Sequence, residues 1–270
     1  MPQPWTTRRR FPNILWCFLL LVGLTLGSGA EAYQKETKPH SASLYLLTTP
    51  EGADLPVECE LRNFPLLVRL GRETFDFGAA RPDGSDLRFY SADDQPLAHQ
   101  VEAWDAAAGT AVIWVRIPLV RGNDRQELKL VWGKEAAAAP TSVFDASNGF
   151  ASVWHLGADV RDEVGTLEMK DVQTQLVDGV IGKARQLDGG QGWFGGEQIP
   201  DYPSGGQPHS TSAWFRPERS NCTLIGWGNE GGGRGSKVRM QLRSPPHLHI
   251  DSDFSDVDAP EPVVLGQWHH

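Results

Sequence analysis

The sequence predicts an all-β protein of two β-sandwich domains, the second incomplete within these 270 residues. Three observations predict it. Apolar and polar residues alternate with a period of two over many short runs. Glycine, proline, asparagine and aspartate punctuate those runs at turn positions. Beyond the first 32 residues almost no stretch keeps the 3.6-residue apolar spacing of an amphipathic helix.

Residues 1–32 come before the sandwiches. Arg8, Arg9 and Arg10 open the segment, residues 14–26 are apolar except for Gly23 and Thr25, and Ala30-Glu31-Ala32 supplies small residues for cleavage. That order is a secretory signal peptide. The apolar run is shorter than the roughly 20 residues a spanning helix needs, so an uncleaved anchor is the lesser alternative. The mature chain then starts near Tyr33, and its expected location is periplasmic or secreted. Thr7-Arg8-Arg9-Arg10-Phe11 resembles a twin-arginine signal, but Pro12 and Leu19-Leu20-Leu21-Val22 suit the general secretory route better.

The first sandwich is expected over residues 33–147. Residues 64–70 form a strand with Pro65 near its start, where a missing N–H does least harm. Asp83-Gly84 marks a turn, and residues 87–90 follow as a strand. Residues 99–104 alternate, with Val101 and Ala103 opposite Gln100, Glu102 and Trp104. Residues 111–117 are the most apolar strand and are expected at the centre. Arg121-Gly122-Asn123-Asp124 turns the chain into residues 127–132, where Leu128, Leu130 and Trp132 share a face. Ala136-Ala137-Ala138-Ala139-Pro140 reads as a linker, and the boundary falls between Pro140 and Phe150.

The second sandwich, residues 148–270, is richer in glycine. Strands are expected at residues 210–215 and 223–227. Residues 238–243 alternate strictly, with Val238, Met240 and Leu242 toward a core and Arg239, Gln241 and Arg243 toward water. Residues 247–251 alternate again, with Leu248 and Ile250 inward and His247, His249 and Asp251 on a polar solvent face. Gly266-Gln267-Trp268-His269-His270 reads as the opening of one more strand, so the second domain is expected to be incomplete.

Composition excludes several classes. The net charge is −9, and the leader removes three arginines and one glutamate, which leaves the mature chain more acidic still. Such a chain does not bind nucleic acid by neutralising phosphates. Hydrophobic residues make up 40% of the sequence, enough to build cores. Cys59 and Cys222 fall in different predicted domains, so no disulfide framework is expected.

Resemblance to known families enters on particular residues. Phe64-Pro65-Leu66-Leu67-Val68, Phe75-Asp76-Phe77, residues 80–89 with their Asp83-Gly84-Ser85-Asp86-Leu87-Arg88-Phe89 run, residues 101–105, residues 111–118 and residues 130–134 resemble the bacterial family domain of unknown function 2341. Residues 182–189, Ser210-Thr211-Ser212-Ala213-Trp214-Phe215-Arg216-Pro217 and residues 266–270 resemble, in that order, successive strands of a laminin-G-like, concanavalin A-type jelly roll. The pairing implies an exported bacterial protein. It also implies one alternative, the periplasmic region of a MotA/TolQ/ExbB-type proton-channel transport protein, with membrane association through residues beyond His270.

Candidate chemistry is sparse. Asp251, Asp253, Asp256 and Asp258 are an oxygen-rich cluster; Asp251, Asp253 and Asp256 are the candidate calcium ligands, against the reading of a solvated acidic loop. His247, His249 and Asp251 have the alternate spacing of adjacent metal ligands but need a third partner from elsewhere. Gly190-Gln191-Gly192-Trp193-Phe194-Gly195 matches G-x-G-x-x-G in form only, because Trp193-Phe194 reads as strand, so no nucleotide is expected. Trp193, Tyr202 and Trp227 lie near glycine-rich loops and are the candidate ligand-binding aromatics. No paired carboxylates suit a glycosidase; Glu58-Cys59-Glu60 comes nearest but sits in the first domain. No catalytic residues are therefore assigned. The expected function is non-catalytic recognition of a glycan or an envelope protein. The competing reading is a glycan hydrolase whose carboxylates lie outside this sequence.

Overall fold

The computed structural model of the chain describes residues 39–133, 142–165, 167–190, 192–196, 202–203, 207–229, 237–252 and 256–270. These residues belong to one compact unit. The leader and the linker 136–140 lie outside the described residues, as does the glycine-rich stretch 231–236. The described residues form fifteen strands and two short 3-10 turns and contain no α-helix, so the all-β expectation holds.

Seven strands build the first sandwich: β1 (His40–Leu47), β2 (Glu60–Gly71), β3 (Arg88–Ser91), β4 (Pro96–Leu97), β5 (His99–Asp105), β6 (Thr110–Arg121) and β7 (Arg125–Trp132). One sheet runs β1-β7-β3-β4 and the other β2-β6-β5, with every pairing antiparallel. The period-two pattern decides what meets between them. Val68, Leu70, Ile113, Val115 and Ile117 come from the three-stranded sheet, and Phe89, Leu97, Leu128, Leu130 and Trp132 from the four-stranded one. Full burial of one such large side chain is worth about 1.5–3 kcal/mol. β6 is central, as the sequence predicts, and its alternate residues Trp114 and Arg116 take partners on the other face of the sheet.

One expectation fails in β5. Strict alternation groups Trp104 with Gln100 and Glu102. A bulge between Val101 and Ala103 resets the phase and turns Trp104 toward the core. There its ring meets Phe75 edge-on at 5.9 Å and Phe77 at 5.0 Å.

The second region contains two small pairs and one larger sheet. β8 (Lys170–Val172) pairs with β11 (Trp193–Gly195), and β9 (Gln175–Asp178) with β10 (Lys183–Gln186). β12 (Cys222–Gly228), β13 (Lys237–Arg243), β14 (His247–Asp251) and β15 (Val257–Pro262) form a four-stranded antiparallel meander in sequence order. Trp227 pairs with Val238, Ile225 with Met240, Met240 with Ile250 and Leu242 with Leu248, so these residues share one apolar face.

Two further expectations are corrected here. Residues 210–214 are not a strand; only Phe215 pairs, with His269, through N–H···O bonds of 3.0 and 2.9 Å. A strand needs a continuous neighbour to take its backbone groups, and the rest of this stretch has none among the described residues. The opposite face of β14 is not open to water: His249 is 2% and Asp251 8% exposed. Alternation identified that face as polar. Its charges are buried because they are paired with one another, as the site geometry shows.

Candidate functional site

The apolar face of the β12–β15 sheet carries a cavity of about 200 Å³ lined by Ile225, Trp227, Val238, Met240 and Ile250, with His209 and Thr211 at its side. Trp227 is its aromatic wall. Tyr202 meets that indole edge-on at 5.8 Å and His209 at 5.3 Å. Both polar tips are occupied: Trp227 Nε1 donates to Pro203 O at 2.9 Å, and the Tyr202 hydroxyl bonds Ser152 Oγ. Ser152 in turn donates to Asp162 Oδ2 at 3.0 Å. Asp162, 1% exposed, also accepts the backbone N–H groups of Val153 and Val164. Burial pushes the Tyr202 phenol above its ordinary range. The rings are therefore held by fixed partners, and the cavity wall is mainly hydrocarbon and ring surface, with His209 and Thr211 as its polar side.

The structure brings Tyr202 and Trp227 together but gives Trp193 a different place. Trp193 is 46% exposed on β11, opposite Val172, and does not line the cavity.

The candidate calcium ligands also separate. Asp251 Oδ2 is 3.2 Å from Lys237 Nζ and is bonded by Arg239 as well, so its charge is committed to β13. Asp256 lies on the other side of the β14–β15 turn, its Oδ2 3.7 Å from His249 Nε2. Asp253 lies outside the described residues. Asp258, on β15, takes His249 Nδ1 at 2.7 Å and His247 Nε2 at 3.0 Å on one oxygen. Among the described residues no group of three or more histidine, cysteine or acidic side chains is arranged to hold a metal ion. Cys59 and Cys222 are both free thiols.

Sequence reasoning missed a polar clasp on the outer face of the first sandwich. Glu102 accepts from Trp114 Nε1 at 3.1 Å and pairs with His155 Nδ1 at 2.6 Å, with its side chain only 5% exposed. Gln100 Nε2 sits 2.9 Å from His155 Nε2. Since the glutamine amide is a donor, this ring carries its proton on Nδ1. Phe144 packs on both Trp114 and His155, at 5.3 and 5.4 Å. Arg116 pairs with Asp145, and Asn148 Nδ2 donates to Asn63 O at 3.2 Å. The first sandwich thus holds residues as far along as His155. No local pattern announces this, because Glu102 and His155 are joined only by the fold.

Comparison with known proteins agrees with part of the family resemblance. The pattern of the family described as Domain of unknown function (DUF2341) matches residues 83–156. That span contains both Glu102 and His155. No curated protein and no solved structure matches the chain.

Proposed function

We propose that this chain is an exported, non-catalytic recognition protein of a bacterial envelope. Its second region is read as a laminin-G-like, concanavalin A-type module, and the Trp227 cavity is where it takes a glycan or an envelope-protein side chain. The observation that carries the reading is a cavity walled by Trp227 on a four-stranded sheet, with the indole and the Tyr202 ring that backs it both fixed by hydrogen bonds. Pre-set rings lose little conformational freedom when a ligand arrives. At about 200 Å³ the cavity falls below the roughly 300–1,000 Å³ of drug-sized sites, so it suits a single ring or side chain of a larger ligand. The first sandwich supplies a rigid support, and the leader supplies the route out of the cytoplasm.

The experiment is a glycan and peptidoglycan-fragment array probed with the full chain, with and without calcium. Hits lost in His209→Ala and Trp227→Phe, and kept in Trp193→Ala, are the expected result. Hits that survive both cavity substitutions overturn the assignment of the site. Turnover of any glycan on the array overturns the non-catalytic reading.

A further inference from the structure

Among the described residues the sheet edges are defended, with one exception. An edge strand offers unpaired N–H and C=O groups, and short length, proline, charge or a bulge keeps other chains from pairing with them. β4 has two residues, and the strands of the β8–β11 and β9–β10 pairs have three or four. β2 carries Pro65 with Glu60, Arg62 and Arg69. β5 is bulged between Val101 and Ala103, and β12 between Thr223 and Ile225. β15 carries Asp258, Pro260, Glu261 and Pro262. β1 also ends its sheet, yet it runs eight residues with no proline, no acidic or basic side chain after His40, and an unbroken register on β7. Two bonds fix which of its backbone groups are open. Thr48 N–H donates to Asp124 O at 3.0 Å on the β7 side, whereas Leu47 O accepts from Ala53 N–H at 3.0 Å on the other. Backbone direction alternates along a strand, so Ser41, Ser43 and Tyr45 turn their N–H and C=O groups away from β7. No strand among the described residues pairs with them there.

We propose that β1 is a docking edge for a second copy of this chain, the two β1 strands pairing antiparallel about a two-fold axis at Ser43 and joining the two sheets into one. What selects a second copy is that β1 fits itself in this register. The pleat admits only registers that set exposed side chains beside exposed ones and core-facing beside core-facing. In β1 the residues Ser41, Ser43 and Tyr45 are exposed, and Ala42, Leu44 and Leu46 pack on the core. Centring on Ser43 keeps the faces matched. It pairs Ser43 with Ser43 of the second copy and Ser41 with its Tyr45, through about six backbone bonds. It also sets small against large: Ser41 meets Tyr45 on the outer face, and Ala42 meets Leu44 on the core side. Tyr45, 45% exposed, is already held in place by Arg125, 3.5 Å from the ring centre. A register centred on Leu44 would instead call on Leu47, whose carbonyl Ala53 already occupies. No like charges of the two strands meet across the seam. A single strand pair falls below the roughly 1,200 Å² of stable interfaces, so the dimer is weak and forms with rising concentration. This pairing is independent of what the Trp227 cavity holds, because that cavity lies on the β12–β15 sheet.

The test is sedimentation velocity on the full chain from about 1 to 200 μM, a range that spans weak association. A monomer–dimer equilibrium is expected. Over the same range, amide exchange followed by NMR should slow severalfold at Ser41, Ser43 and Tyr45, while Ala42 and Leu44, which bond to β7, hold steady. Ser43 Oγ donates to Glu127 Oε1 at 2.6 Å, so a lysine there keeps an acidic neighbour within its own copy. Ser43→Lys sets two cations against each other at the axis and should weaken the dimer more than tenfold. Thr223→Lys, on the edge of β12, should leave it unchanged. A wild-type chain that stays monomeric throughout, with exchange at β1 independent of concentration, overturns the proposal and needs no variant to fold. A dimer equally strong in Ser43→Lys overturns it too, because another surface then holds the copies together.

Discussion

Asp86 Oδ2 accepts the backbone N–H of Gly133 at 2.7 Å, tying the loop before β3 to the end of β7 across 47 residues. Its other oxygen accepts the Arg81 N–H at 3.0 Å, and the residue is 2% exposed. One buried carboxylate therefore closes its own loop and fixes where the last strand of the sandwich ends. Asp86→Ala strips the acceptor from two part-buried backbone donors. At about 1–3 kcal/mol for each donor, the loss should lie toward the lower end of about 2–6 kcal/mol, because both donors are only partly buried. Asp86→Asn keeps one oxygen and turns an amide donor toward the other N–H, so it should fall in between. Urea unfolding that moves the midpoint at constant slope measures both.

Gly84 precedes that aspartate with φ +67, and a Cβ built there would lie 2.6 Å from the Trp104 ring. Gly149 has φ +85 and nothing within 4 Å. The two glycines separate backbone strain from collision. Gly149→Ala should cost only the left-handed penalty, about 1–2 kcal/mol. Gly84→Ala should cost that and also displace Trp104 from Phe75 and Phe77. Thermal unfolding followed by tryptophan fluorescence checks both, with a shifted native emission expected only for Gly84→Ala.

The legible parts of this fold are those with unbroken alternation. The central strand could be read because residues 111–117 are the most apolar run, and Ala111, Ile113, Val115 and Ile117 all face the core. Trp104 was misplaced because one extra residue in β5 shifts the phase, and a bulge leaves no mark in an alternating pattern. The face of His249 and Asp251 could be read as polar, but its burial could not. That depends on Lys237, Arg239 and Asp258 arriving from neighbouring strands with opposite charge. All three candidate aromatics lie near glycine-rich loops, and that feature does not distinguish Tyr202 and Trp227, which a tertiary contact joins, from Trp193, which does not line the cavity. The clasp between Glu102 and His155 was invisible for the same reason: it is long-range and carries no local signature.

The segment after the linker is held to β6 by Arg116 and Asp145. Ser147 donates to the Asp145 carboxylate from both backbone and side chain, and Arg116 pairs with it. These bonds, those of Ser147 first, hold the Asp145 carboxyl far below its ordinary range. A carboxyl lowered on folding stabilises above its unfolded value and loses that contribution only as pH falls through the folded one. The clasp should therefore stay closed through mild acid. Asp145→Asn removes the charge at every pH. Amides of residues 143–149 should then exchange severalfold faster at neutral pH while those of β6 keep their protection. Unchanged exchange in residues 143–149 would show that Phe144 and Asn148 hold the segment without the ion pair.

His99 is a buried imidazole in the core of the first sandwich. Its Nδ1 lies 3.1 Å from Leu97 O and its Nε2 3.0 Å from Leu87 O, so both ring nitrogens face acceptors. The acceptors are uncharged carbonyls, the ring packs on Phe89 at 5.3 Å, and the residue is 7% exposed. Burial pushes the imidazole below its ordinary range, the two carbonyls offset part of that, and Arg88 adds to the lowering. Without a carboxylate to receive the charge, desolvation wins. The unfolded chain then binds the proton more readily than the folded one. The sandwich keeps its full stability above about pH 6.5 and loses part of it as the pH falls below that. Exchange protection of β3, β4 and β5 should fall between pH 7 and pH 5. His99→Gln, which can still donate to Leu87 O, should flatten the fall. Constant or rising protection of these strands would mean that the core ring holds its proton after all, with the carbonyl pair outweighing the cost of burying the charge.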